Sequence, residues 1–168
     1  MEKEKILTIQ IKTMDMFRFL MRHFYTGFSG IFGILISVGA FVLLVKGIGE
    51  RTPEQLLILG VFACLFTIFQ PIQFLMKAYQ QVKHLPVYKE PIQYTLNDAG
   101  IHVEQKEEKL DLSWDKIFKV VEGNNAFYVY TSPVHAFIFP KVQMKEDTKA
   151  VKALLKECMP LSKLKLKK

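Results

Sequence analysis

GFSGIFGILISVGAFVLLV, Gly27 to Val45, runs for 19 residues without a charge. About 20 apolar residues, rising 1.5 Å each in a helix, cross the hydrocarbon core of a bilayer. A second run, LLILGVFACLFTIFQPIQFLM, Leu56 to Met76, has 21 residues and again no charge. A chain of 168 residues offers too little surrounding protein to bury both runs as core helices. We read them as transmembrane helices at 27–45 and 56–76. The intervening loop, 46–55, is short, so the two helices form a hairpin. The first run exceeds the apolar stretch of a signal peptide and is followed by no small-residue cleavage site.

The flanks orient the hairpin. Lys12, Arg18 and Arg22 precede the first run, Lys77, Lys83 and Lys89 follow the second, and the loop carries only Lys46 and Arg51. The positive-inside rule then predicts both termini in the cytoplasm. The rest of the chain is soluble in character. Half of the residues are hydrophobic and 23% are charged, a mixture that fits an anchor joined to a water-exposed part. Net charge is +7, but residues 90–168 carry 13 lysines against 11 acids, so no basic face for nucleic acid stands out. Cys64 and Cys158 form no CxxC pair and no metal spacing with the four histidines, which fits a reducing compartment.

Within the first run Ser29, Gly33 and Ser37 recur every fourth residue. Small residues at this spacing let another helix approach closely. Packing within the hairpin is the plain use of the stripe, and self-association between hairpins is the other. Pro71, beside Gln70 and Gln73, removes a backbone bond and is expected to kink the second helix. No ionisable residue lies inside either run, which argues against a pump or proton relay.

Outside the membrane the period changes. ILTIQIK alternates, with Leu7, Ile9 and Ile11 on one face, and reads as a half-buried strand too short to stand alone. Thr13 is expected to cap a following helix, with Asp15 in its first turn, that continues into the first span. KAYQQVKH extends the second helix until Leu85-Pro86 ends it. From Pro91 the period is 2. Ile92, Tyr94 and Leu96 share a face, Asn97-Asp98-Ala99-Gly100 turns, and Leu110, Leu112 and Trp114 align on a later strand. Glu122-Gly123-Asn124-Asn125 reads as a hairpin loop, followed by strands at 126–131 and 135–139. Six or so short antiparallel strands imply a meander curled over its apolar face. Glu146, Asp147 and Thr148 open a last helix that Pro160 stops, and that helix is expected to cap the curled sheet.

The resulting division is 1–26 strand and juxtamembrane helix, 27–45 and 56–76 spans around the loop 46–55, 77–90 linker, 91–159 cytoplasmic domain and 160–168 basic tail. The fold class is α+β, a two-helix hairpin plus a small antiparallel barrel or curled sheet capped by a helix. The tail, LSKLKLKK, is expected to be a solvated end. Beside an anionic leaflet, each of Lys163, Lys165, Lys167 and Lys168 would add about 1 kcal/mol of attraction.

The order of these pieces resembles the YcxB-like family of bacterial membrane proteins. The residues that carry the resemblance are Thr95 to Ile101 (TLNDAGI), Trp114 to Ile117 (WDKI), Lys119 to Glu122 (KVVE), Phe127 to Tyr130 (FYVY) and Ala136 to Lys141 (AFIFPK). The resemblance implies a pleckstrin-homology-like barrel as the C-terminal domain and a bacterial inner membrane as its setting. It implies no activity.

Nothing in the chain reads as catalytic. There is no HExxH, no P-loop and no nucleophile elbow. His102 and Glu104 share a strand face, where alternation alone predicts an exposed polar strip. No cofactor or metal is expected. Lys116, Lys119 and Lys141 could form a weak basic edge, and with the tail lysines they are the candidate contact residues. The function expected is that of a non-enzymatic membrane anchor for a module binding a protein, a peptide or lipid headgroups, as in an accessory subunit of a membrane complex. The alternative is a small oligomeric channel or transporter component built from the hairpin.

Overall fold

The structure is a computed structural model, which describes residues 4–167. Two compact units emerge. One takes in the chain up to Met16 and from Gln81 onward, and the other is Phe17–Gln80.

The second unit is helical. Helix α1 spans Thr13–Tyr25 and α2 Phe28–Gly47, so the chain breaks at Thr26-Gly27 instead of running straight into the apolar helix. The break brings Gly30 against the end of α1, where a Cβ would lie 2.2 Å from the Phe24 carbonyl oxygen. The start of α1 also differs from expectation. Thr13 lies within the helix, and Asp15 Oδ2 accepts from the Lys12 N–H at 3.1 Å. Helix α3, Pro53–Cys64, starts from a capping box in which Thr52 and Gln55 satisfy each other's backbone N–H.

Helix α3 passes through a π-helical turn, Leu65–Phe69, into α4, Gln70–His84. The Gln70 N–H reaches back five residues, to the Leu65 carbonyl. Pro71 supplies a reason: it has no N–H and its ring clashes with the carbonyl four residues before it. The helix thus takes a wider turn just before Pro71, where a kink is expected. Both Phe28–Gly47 and Pro53–His84 are long and apolar enough to cross a membrane. Their most apolar windows are only 22% and 6% buried, so the protein's own residues do not cover them as a core.

The other unit holds two four-stranded sheets. In the first, β1 (Lys5–Ile9), β2 (Ile92–Leu96), β3 (Gly100–Gln105) and β4 (Glu108–Ser113) pair antiparallel in that order. Leu7 pairs with Tyr94 and Tyr94 with Val103, so one face collects the apolar phase of each strand. Gly100 sits where a Cβ would lie 2.2 Å from the Leu112 carbonyl oxygen. The second sheet has the order β7 (Ala136–Pro140), β6 (Ala126–Tyr130), β5 (Lys119–Glu122) and β8 (Leu164–Lys165). All five residues of β6 are buried. Tyr94 joins the sheets, meeting Phe137 and Phe139 at 5.5 and 4.9 Å between ring centres.

The predicted single curled meander is therefore two sheets that do not close on each other. The reason lies between β4 and β5. Trp114 leaves the strand phase for a 3-10 turn, Trp114–Lys116, and its indole donates to the Asn97 carbonyl at 2.9 Å. After β7 a short helix, α5 (Lys141–Met144), leads into α6 (Asp147–Cys158). Val151, Leu154 and Leu155 of α6 are buried. Lys5 pairs with Asp147, and Gln10 and Gln143 exchange backbone-to-amide hydrogen bonds, so the N-terminal strand is tied to both helices.

Candidate functional site

Charge chemistry in the two-sheet unit centres on Glu122, the last residue of β5. It is 6% exposed, although the sequence places it in a hairpin loop. Opposed strand residues share a face, so the register Val120 with Val129 and Glu122 with Phe127 puts the carboxylate in the phase of the apolar core. A buried charge needs partners. Lys141 Nζ lies 2.6 Å from Oε1, Lys152 Nζ 2.9 Å from Oε2, and the Lys167 backbone N–H donates to Oε2 at 2.9 Å. Burial pushes the carboxyl upward, but the hydrogen bonds from Lys141, Lys152 and Lys167 outweigh it and hold the group at about 2. The sequence reading missed this site: Glu122 follows Val120 at strand spacing, but the adjacent Gly123 gives it the look of a turn residue, and the register with β6 is what places it in the core phase.

The tail as far as Lys167 is consequently packed against the domain, where a solvated end was expected. Leu164 and Lys165 pair in parallel with Val120 and Val121. Lys163 Nζ donates to the carbonyls of Asp115 and Ile117 at 2.9 and 2.8 Å. Lys167 Nζ bonds Asn124, and Lys152 Nζ also donates to the Lys167 carbonyl at 2.6 Å.

The candidate contact lysines therefore scatter among different tasks. Lys141, besides its ion pair, sits 5.1 Å from the centre of the Phe127 ring. Lys119 lies 4.7 Å from the centre of the Tyr130 ring. Lys116 and Lys165 are exposed. Lys168 lies outside the described residues. His102 and Glu104 do not pair with each other. His102 meets Asp111 and Glu104 meets Lys109, the latter at 2.9 Å, as cross-strand pairs between β3 and β4.

An open cleft of about 660 Å³ lies where α4 ends. Leu85 and Val87, 44% and 42% exposed, contribute apolar surface, and Glu90, Glu107 and Glu108 contribute charge. Gln105 closes one side by donating to the Val87 and Glu90 carbonyls at 2.9 and 3.2 Å. Lys106, paired with Glu90 at 2.9 Å, turns the β3–β4 hairpin with a φ of +55°.

In the hairpin, Gly33 and Ser37 face the second helix while Ser29 is exposed, its place on the buried stripe taken by Gly30. A Cβ on Gly33 would lie 2.5 Å from the Phe66 ring. Ser37 Oγ donates to the Phe62 carbonyl at 3.0 Å and accepts from the Phe66 N–H at 3.3 Å. It thereby serves backbone groups at the entrance to the π turn.

No curated protein and no solved structure matches the chain. The model of the family described as YcxB-like protein matches residues 96–155. That match runs from the end of β2 into α6, so this segment resembles the YcxB-like family.

Proposed function

We propose that the protein is a non-enzymatic component of a bacterial inner membrane, anchored by its helical hairpin, with both termini in the cytoplasm. Its two-sheet unit serves as a pleckstrin-homology-like module that binds a partner. Two sheets followed by a packed C-terminal helix support that fold reading. The observation that carries the anchor is the exposure of apolar side chains along both long helices, among them Phe28, Leu35, Phe41 and Leu57. In water such a surface would be an aggregation site, whereas hydrocarbon solvates it.

Among partners, the geometry favours a protein or peptide over a lipid headgroup. Lys141, Lys163 and Lys167 direct their ammoniums to groups of the chain itself, which removes much of the basic surface a phosphate would need. The cleft at Leu85 and Val87 instead combines apolar side chains with polar and charged ones, a mixture that suits a protein-binding surface. Purification of the intact protein in mild detergent should recover a stoichiometric protein partner, whose binding a Leu85→Asp/Val87→Asp variant reduces. Recovery of anionic lipid alone would sink the preference for protein. Reporter fusions after residue 168 and within 46–55 should report cytoplasm and exterior respectively, and the reverse pattern overturns the orientation.

A further inference from the structure

Among the described residues strand β4 is an edge, paired with β3 alone. Residues Glu108 to Asp111 are all exposed, and Leu110 is 51% exposed in the apolar phase of the sheet. We infer that this edge pairs antiparallel with β4 of a second copy, about a two-fold axis at Leu110, to give one continuous sheet across a dimer.

The backbone permits it. Gln105 and Glu108 close a two-residue hairpin and so form a hydrogen-bonded pair. Alternation then turns the N–H and C=O of Leu110 toward β3 and those of Lys109 and Asp111 toward the open side. With Leu110 opposite Leu110 of the second copy, Lys109 falls opposite Asp111. Both members of that pair have outward backbone groups and can exchange two hydrogen bonds, and symmetry repeats the pair.

The side chains select this register. It places Leu110 against Leu110 at a close, non-hydrogen-bonded position and sets Lys109 against Asp111 twice. On that polar face the existing pairs, Glu104 with Lys109 and Asp111 with His102, join into one cross-strand ladder across the two copies. A shift by one residue would flip the second sheet, joining the apolar face of one copy to the polar face of the other. Shifts by two set Asp111 against Asp111 or Lys109 against Lys109. The strand is thus complementary to itself in one register and repelled in its neighbours.

Cysteine crosslinking of the full-length protein in native membranes tests the pairing. In a Cys64→Ala/Cys158→Ala background, Leu110→Cys should oxidise to a disulfide-linked dimer. Opposed residues at such a position lie about 4.5 Å apart between Cα atoms, within disulfide range. Val142→Cys, on α5 and 77% exposed, gives the background of random collision. No excess of dimer at Leu110→Cys over that background overturns the proposal, as does a crosslink to some other protein instead. A charge exchange reads the register. Lys109→Asp or Asp111→Lys alone should weaken dimerisation in detergent by roughly tenfold, and the double exchange should restore it. Unchanged Trp114 fluorescence would establish that each variant remains folded, and failure of the double exchange to restore the dimer overturns the register.

Discussion

Glu122→Gln isolates the buried ion cluster with little change of shape. The carboxyl is held at about 2 against an ordinary glutamate value of 4.5. One unit of pKa is worth 1.36 kcal/mol, so the shift corresponds to roughly 3 kcal/mol at neutral pH. Lys141 and Lys152 keep side-chain exposures of 22% and 24%, and water screens part of the interaction. We therefore expect the variant to lose about 2 kcal/mol. Trp114, the one tryptophan of the chain, is buried in the two-sheet unit, so its fluorescence follows that unit while detergent holds the helices. With a urea slope of about 1–2 kcal/mol per molar, the midpoint should fall by roughly 1–2 M at pH 7. The folded-state pKa is depressed, so the stabilisation is fully present above pH 4.5 and is lost as pH falls toward about 2. The gap between parent and variant should close over that window. A gap under 0.5 kcal/mol at pH 7, or one that persists unchanged at pH 2, would refute the reasoning.

Other positions test the remaining geometry. Gly33→Val forces a side chain into the Phe66 ring and should lower the thermal midpoint of the detergent-solubilised hairpin by an overpacking cost of about 1–3 kcal/mol; equal midpoints would show that the ring moves aside. Ser37→Ala removes the hydroxyl bonded to Phe62 and Phe66 and should cost about 1 kcal/mol, read as faster amide exchange around 62–66. Lys106→Gly relieves a positive φ on a non-glycine residue and should raise stability by roughly 0.5–1 kcal/mol in the Trp114 assay, because the Glu90 ion pair lost with it is exposed. Gly100→Ala should prevent stable folding of the two-sheet unit, seen as loss of cooperative unfolding, since its Cβ meets the Leu112 carbonyl.

Much of the local structure could be read directly. Uncharged runs of 19 and 21 residues mark the two long helices, because length and polarity are properties of the chain alone. Alternation marks β1, β2 and β3, and the acids at Glu146 and Asp147 mark the start of α6. The sites were less legible. A lysine-rich tail has the same composition whether solvated or bound, and Lys167 finds Glu122 across 45 positions of sequence. Glu122 beside Gly123 looked like a turn residue, and only the pairing of β5 with β6 exposes its buried phase. Leu110 had the opposite fate. Its phase is apolar, yet it is exposed because β4 lies at the edge of its sheet.

Periodicity and charge determined that this chain has two membrane-length helices, a short N-terminal strand and a β-rich second half closed by a helix. Those features follow from neighbours a few residues apart, whose spacing fixes which side chains share a face. Tertiary structure alone decided that the sheets stay separate, that the tail becomes a strand and that Glu122 is buried among lysines. Each of these depends on partners far away in the chain, and a pairing register has no trace in local spacing until both strands are in place.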